Sequence, residues 1–265
     1  MHHMLKHHAD SLQIMAGYYG KDPEVIAFIF GGSVAKGEAR PDSDLDGMLI
    51  VTDEAYARRL QTGALAECID GLCTYPAGYF DVKFFNKDYL KAAAEKGSDP
   101  TRNSFVGAQV IFSHDPEIAE LVENIPVYPV DKKQERIALF HSILKFASGY
   151  FYNDALRSGD MYMLDKCCFE VVYAGLRMLY AYNEAFFPSH KRFLEYAQRL
   201  PQKPTGIVDM AKAVNERKDP AFVKAFAEAI LNFTDWGIAP GSHVPTYVKN
   251  MEQTWQCGGG NVYEL

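Results

Sequence analysis

Two apolar runs near the N terminus, separated by a turn of small residues and a polar loop, constrain the fold of this chain most. Val25–Phe30 is a continuous apolar run of strand length that ends in Gly31-Gly32-Ser33. The second run, Met48–Val51, directly follows a segment that holds Asp44 and Asp46. Because strand side chains alternate between faces, these two aspartates project to the same side. The pattern predicts a strand–turn–strand unit with two carboxylates on one face.

The two carboxylates and the turn have complementary chemistry. Burying two like charges side by side is costly unless a cation lies between them, and Mg²⁺ or Mn²⁺ can join carboxylate oxygens to phosphate oxygens. In the turn, glycine lets backbone N–H groups approach a phosphate, and Ser33 adds a hydroxyl donor. Val34-Ala35-Lys36 is predicted to form the first turn of a short helix, whose amide end also favours an anion. The residues therefore predict a divalent cation beside a bound phosphate.

Gly32-Ser33, ten intervening residues and Asp44-Leu45-Asp46 together resemble the signature of the polymerase-β-type nucleotidyltransferase superfamily. The fuller string, Gly-Ser-x-Ala-(Lys/Arg)-Gly-Glu-Ala-x-x-x-Ser-Asp-Leu-Asp, is most similar to the small bacterial branch that includes the aminoglycoside and lincosamide nucleotidyltransferases. The resemblance implies an α+β fold, in which a polymerase-β-like nucleotidyltransferase domain with a small mixed sheet precedes a C-terminal helical bundle. One departure is Gly47, where an apolar residue is usual, and we interpret it as a local packing variation.

The resemblance also implies a third carboxylate on a later strand, and the chain offers Asp81. Asp81 and Lys83 alternate with Phe80, Val82 and Phe84, as expected for a strand with one buried face. Asp81 would then complete a metal site or take the proton from an acceptor hydroxyl. A solvated acid on an edge strand is the alternative interpretation. Lys83 is open to two readings, a phosphate contact or an ordinary exposed lysine.

In-line displacement at the α-phosphate of a nucleoside triphosphate needs charge neutralisation, a positioned acceptor and a stabilised pyrophosphate leaving group. The resemblance implies that three aspartates are both catalytic and metal-binding: Asp44, Asp46 and Asp81. Six residues are candidates for binding the nucleotide: Gly32, Ser33, Lys36, Ser43, Lys83 and Lys191. Lys191 follows a proline turn at a helix start, where it could neutralise the triphosphate or simply face solvent.

Charge and composition narrow the acceptor class. The formal charge of −7 and the pI near 5.6 argue against nonspecific nucleic-acid binding, which rewards clustered Lys and Arg. We therefore expect a nucleoside triphosphate, ATP first, and a small hydroxylated acceptor, with a protein side chain or a nucleic-acid end as alternatives. A regulatory or antitoxin-like protein that binds nucleotide without transferring it is the competing hypothesis, and the three acids disfavour it.

The cysteines and the apolar segments bear on location. The five cysteines form no Cys-x-x-Cys pair and are interpreted as free thiols of a reducing cytosol. No apolar stretch has the length of a membrane span, so we expect a cytoplasmic protein without a membrane partner. His3 and His7, four residues apart, fit an exposed helix face better than a metal site. A homodimer is left open.

Two prolines in Asn124–Val130 and the scarcity of later strand-like runs place a domain boundary there. We predict a catalytic domain over residues 1–125 and a helical bundle domain over residues 126–265. Apolar residues at helical spacing predict two long helices, one from Lys132 to about Arg157 and one over residues 160–184. In the first domain, Asp99-Pro100 predicts a helix that Asp99 caps.

Overall fold

The computed structural model describes residues 4–257, and the chain divides into two compact units, Met1–Val127 and Tyr128–Leu265. The first unit has a five-stranded sheet and six helices within its described part. Its strands are β1 (Val25–Phe30), β2 (Leu45–Val51), β3 (Ala66–Asp70), β4 (Tyr79–Phe85) and β5 (Gln109–Ser113). Its helices are α1 (Lys6–Tyr19), α2 (Gly32–Ala35), α3 (Asp53–Thr62), α4 (Lys87–Lys96), α5 (Asp99–Ser104) and α6 (Glu117–Asn124).

The sheet is mixed, with the strand order β3-β4-β2-β1-β5. β2 and β4 run parallel and bring Asp46 opposite Asp81, whereas β1 pairs antiparallel with both β2 and β5. β1 and β2 lie in the centre of the sheet, which explains why both are apolar on the two faces. The observed architecture confirms the predicted α+β fold.

Each face of the sheet carries its own apolar layer. One layer contains Phe28, Leu49 and Phe84 and is covered by Met15 and Tyr19 of α1. The other packs Ile29, Ile50 and Phe105 against α4, α5 and α6; its buried members also include Met48, Leu90, Ile118 and Ile125. Asp46 alternates with buried Leu45 and Leu49 and so shares its face with Met48 and Ile50. The acids therefore lie on the side of the sheet that α4 and α5 cover.

A buried arginine joins the helices of that side. Arg102 on α5 is 4% exposed and donates hydrogen bonds to five backbone carbonyls. The acceptors are Ala94 and Glu95 at the end of α4, Gly97 behind it, and Ile125 and Val127 after α6. Terminal helix carbonyls lack intrahelical partners. Arg102 supplies partners to α4 and fixes it relative to the chain beyond α6.

The second unit is helical over its described residues. Its α-helices are α7 (Lys133–Phe146), α8 (Tyr152–Ser158), α9 (Met161–Tyr182), α10 (Phe193–Arg199), α11 (Ile207–Arg217), α12 (Pro220–Leu231) and α13 (His243–Tyr247). Short 3-10 segments lie at Val130–Lys132, His190–Arg192 and Thr254–Cys257, and π-helical turns at Ala147–Phe151 and Val248–Glu252. One core joins α7, α9, α11 and α12. The aromatic side chains of α9 mostly belong to this core, as their helical spacing indicates.

Three local predictions differ from the structure. The predicted helix from Lys132 to Arg157 is interrupted by the π turn at Ala147–Phe151. The cap of α5 is Ser98, whose hydroxyl accepts from the Thr101 N–H, and Asp99 is the first helical residue. Strand β3 has no counterpart in the sequence-based assignment, because only alternate side chains of this edge strand are half-buried.

Among the helices of residues 4–257, none combines the length and the apolar character that a membrane span requires.

Candidate active site

The turn between β1 and α2 can be made only with glycine at position 32. Gly32 has a φ of +70°, a left-handed conformation that side chains disfavour. A Cβ atom there would lie 1.7 Å from Oδ2 of Asp46, so the residue needs glycine for space as well. The backbone N–H of Gly31 donates to the carbonyl of Asp46 at 3.1 Å. The small-residue turn is thus held directly over the second acid of the motif.

The three aspartates lie together near the N-terminal ends of the neighbouring strands β2 and β4. Asp46 on β2 faces Asp81 on β4, and Asp44 stands two residues earlier on the same side as Asp46. One carboxylate oxygen from each residue lies within 4.8 Å of those of the other two. All three side chains are partly buried. The structure therefore brings together the acids that the sequence motif and the resemblance indicated.

Asp46 lies in the least favourable environment of the three. The pKa of Asp46 rises from its ordinary value of 3.8 to about 6, mainly because the side chain is buried and also because Asp44 and Asp81 are negatively charged, while Lys83 and Lys36 act in the lowering direction. Within residues 4–257 its carboxylate accepts no hydrogen bond that offsets this cost. The protein thus keeps a poorly solvated carboxylate beside two like charges.

This donor set fits a hard divalent cation. Metal–oxygen distances of about 2.0–2.6 Å separate two oxygens on opposite sides of one ion by about 4–5 Å, which matches the spacing of the three carboxylates. Oxygen donors suit Mg²⁺ and Mn²⁺ better than softer metals. Asp44, Asp46 and Asp81 could hold such an ion between them.

Two tyrosines hold the segment that leads into β2, and sequence reasoning assigned neither of them a role. The hydroxyl of Tyr75 donates to the carbonyl of Ser43. Tyr79, the first residue of β4, lies beside Asp44, and its interaction with that carboxylate, hydrogen bonding first and charge second, raises the pKa of Tyr79 to about 12. Tyr79 lies two residues before Asp81 and so on the same face of the strand, which was the available signal for its position.

The lysine and serine candidates lie at different distances from the acids. Nζ of Lys83 is 3.5 Å from Oδ2 of Asp81, and its side chain is 51% exposed. Lys36 ends α2, and its charge acts on Asp46. Ser33 belongs to α2, next to Gly32. Ser43 is nearly buried, and its Oγ accepts from the backbone N–H of Arg40 at 2.9 Å, so its hydroxyl proton is still available to donate.

Lys191 belongs to the other unit of the chain. It lies in the second unit, within the 3-10 turn His190–Arg192, and its contact with a triphosphate stays a prediction. His3 lies outside the described residues, while His7 contacts the carbonyl of Pro41 at 3.0 Å. The described cysteine side chains, Cys68, Cys73, Cys167 and Cys168, are free thiols.

Packing accounts for the departure at Gly47. A Cβ atom on this residue would lie 2.3 Å from the terminal methyl of Met15 and 3.2 Å from the ring of Phe28. Met15 is fully buried on α1. The methionine therefore occupies the space into which a side chain at position 47 would extend.

Comparisons with known proteins agree with this geometry. Residues 18–133 match the family model described as a nucleotidyltransferase domain. Among solved structures, the chain resembles a nucleotidyltransferase-like protein from Exiguobacterium sibiricum 255-15, with a TM-score of 0.50 and 10% identity. That alignment covers 92% of this chain and 79% of the other, and at this identity it supports the fold alone. No curated protein matches the chain. The protein is therefore a transferase that carries a nucleotidyltransferase domain at residues 18–133.

Proposed function

We propose that the protein transfers a nucleoside monophosphate from a nucleoside triphosphate, ATP first, to a hydroxyl group of a small acceptor and releases pyrophosphate. The observation that carries this proposal is the triad Asp44, Asp46 and Asp81, whose carboxylate oxygens lie within 4.8 Å of one another beneath the Gly32 turn. The match of residues 18–133 to a nucleotidyltransferase domain supports the same reaction class. The free thiols suit a cytoplasmic setting.

The triad would hold Mg²⁺ or Mn²⁺, which supplies charge neutralisation on the phosphate oxygens of the substrate. Around it, the backbone N–H groups at Gly32 and Ser33 are the donors that we assign to the phosphates of the leaving group. Lys36 and Lys83 add positive charge on the two flanks of Asp46. Ser43 contributes its remaining hydroxyl proton. These residues together would bind and orient the triphosphate.

Asp81 has one of two roles in this proposal, and a single variant separates them. As a metal ligand it contributes a carboxylate oxygen, and as a general base it takes the proton from the acceptor hydroxyl. Asp81→Asn should weaken Mn²⁺ binding, measured by calorimetry, in the first case. In the second case it should leave Mn²⁺ affinity within about twofold and lower kcat by a factor on the order of 10²–10⁴.

The test of the proposed function is pyrophosphate release from each of the four ribonucleoside triphosphates with Mg²⁺ or Mn²⁺. The acceptors are a pooled panel of aminoglycosides, lincosamides and other polyhydroxylated metabolites, and Asp44→Asn and Asp46→Asn are the controls. We expect release that disappears in both variants. Wild-type transfer rates in Asp46→Asn would contradict the proposal. Tight metal-dependent nucleotide binding with no release from any acceptor would favour the regulatory alternative.

A further inference from the structure

A cavity of about 310 Å³ extends from the acids along the face of the sheet that α4 and α5 cover. Asp46 and Asp81 line one end of it, together with Lys83. The other end is lined by Phe85 from β4, four residues beyond Asp81 along the strand, and by Tyr89 from α4, and Thr101 and Ser104 of α5 belong to the same lining. Ligand sites commonly have volumes of about 300–1,000 Å³. The cavity is thus of ligand size and opens onto the acids.

The aromatic end is a rigid pair of stacked rings. The centroids of Phe85 and Tyr89 are 3.8 Å apart, and the ring planes are inclined by 12°. Asn86 caps α4 by accepting the N–H of Tyr89 itself at 3.1 Å, which fixes the residue that carries the second ring. Both side chains are half-buried and both line the cavity. An aromatic wall that retains solvent access can stack a planar ligand.

The charged side chains among the described residues that line the cavity lie at the end that holds the aspartates. Beyond Asp46, Asp81 and Lys83 the lining is aromatic, aliphatic or hydroxyl-bearing, with Thr101 and Ser104 as its polar side chains. The hydroxyl of Ser104 donates to the carbonyl of Thr101 at 2.7 Å, which leaves its oxygen free to accept. A polycationic ligand would find no counter-charge in this part of the cavity. A neutral planar ring with polar edges fits it.

We propose that this cavity is the nucleoside subsite, in which the base packs against the Phe85–Tyr89 pair while the α-phosphate lies at Asp46 and Asp81. This inference rests on the proposed function, because it requires a nucleoside triphosphate as substrate. The acceptor then approaches the acids from outside this cavity. Base selectivity would come from the hydroxyl groups of Thr101 and Ser104, which meet the edge of the base.

The test compares two ligands that share the phosphates and differ in the nucleoside. Calorimetry with Mg²⁺ measures the binding of α,β-methylene-ATP and of inorganic tripolyphosphate to each variant. Removing a stacked aromatic ring weakens base binding by about 5- to 150-fold. We expect Tyr89→Leu to weaken binding of the ATP analogue by that factor and to weaken binding of tripolyphosphate by less than about twofold. Tyr89→Phe should keep the affinity, because the ring remains.

Two further variants guard against a general loss of structure. Ser104→Leu adds bulk to the cavity lining and should also weaken the binding of the ATP analogue alone. Tyr18→Leu removes a tyrosine that is 54% exposed on α1 and does not line the cavity, so both affinities should stay as in the wild type. If Tyr89→Leu does not fold, Ser104→Leu carries the test.

The outcomes separate this inference from the proposed function. If Tyr89→Leu and Ser104→Leu lose affinity for both ligands equally, or lose none, the cavity is not the nucleoside subsite. The proposed function would still stand in that case, provided that the wild type binds the nucleotide. A raised KM for the acceptor with unchanged affinity for the ATP analogue would assign the cavity to the acceptor and also overturn it. If the wild type binds neither ligand with Mg²⁺ or Mn²⁺, both the subsite and the proposed function fail.

Discussion

Replacing Asp46 with asparagine should make the metal-free protein more stable while it removes activity. The pKa of Asp46 rises from 3.8 to about 6 in the folded state, so ionising this carboxylate at neutral pH opposes folding. About two pKa units correspond to about 3 kcal/mol at about 1.4 kcal/mol per unit, an upper value because the side chain is only partly buried. Asparagine has nearly the same shape and no charge. The variant should therefore recover much of this free energy.

The sign of the pH dependence follows from the direction of the shift. A carboxyl group with a raised folded pKa contributes stability in full below its unfolded value of 3.8, and that contribution is lost as the pH rises through about 6. The advantage of Asp46→Asn should be largest at pH 8 and should fall to less than about 1 kcal/mol at pH 4. Adding Mg²⁺ should stabilise the wild type by mass action and should not stabilise the variant.

Thermal unfolding in EDTA at pH 8 and pH 4 measures this effect. A gain of about 3 kcal/mol corresponds to a rise of roughly 6–12 °C in the midpoint of the transition. The matched control is Asp42→Asn, in the loop that precedes β2, whose carboxylate is 64% exposed and paired with Arg40. Because Arg40 lowers the pKa of Asp42, this control should bring no stabilisation. If Asp46→Asn melts at or below the wild-type temperature at pH 8, ionisation of Asp46 does not destabilise the folded protein.

Three further changes have defined expectations. Gly32→Ala should lose nucleotide transfer and Mn²⁺ binding, because the new Cβ would displace the Asp46 carboxylate. The left-handed backbone alone should lower the free energy of unfolding by about 1–2 kcal/mol. Unchanged Mn²⁺ affinity in calorimetry would contradict this expectation. Arg102→Met should lower the free energy of unfolding, extrapolated from urea titrations, by about 3–5 kcal/mol, because five carbonyls lose a charged donor. A decrease of less than about 1 kcal/mol would show that these carbonyls do not depend on Arg102. Tyr79→Phe should weaken Mn²⁺ binding several-fold, because Asp44 loses the neighbouring hydroxyl that interacts with its carboxylate, while the melting temperature stays within about 2 °C of the wild type. Unchanged metal affinity would show that Asp44 does not need this hydroxyl.

The residues that were predictable from sequence are those whose role depends on local pattern. The apolar run of β1, the glycine turn and the alternation of Asp44 and Asp46 each follow from neighbours within a few positions, and the structure has them as expected. Asp81 needed the family resemblance, because its partner Asp46 is distant along the chain. The parallel pairing of β2 with β4 is what brings the two acids together.

Long-range contacts explain what sequence reasoning missed. Arg102 looks like a surface arginine in a short polar helix, and only the fold gives it carbonyls from both α4 and the chain after α6. Tyr79 acquires its partner Asp44 through strand pairing, and Phe85 meets Tyr89 only because α4 begins directly after β4. None of these contacts leaves a periodic signal. The edge strand β3 was missed because its half-exposed alternation resembles a polar loop.

Labelled substrates would show whether the aspartate triad supports transfer of a nucleotidyl group. The protein would be incubated with Mg²⁺, the acceptor found in the pyrophosphate screen, and ATP labelled with ³²P at either the α- or the γ-phosphate. We expect the α label to move to the acceptor and the γ label to pyrophosphate, and both transfers to vanish in Asp46→Asn. Movement of the γ label to the acceptor, or α transfer that persists in Asp46→Asn, would contradict it.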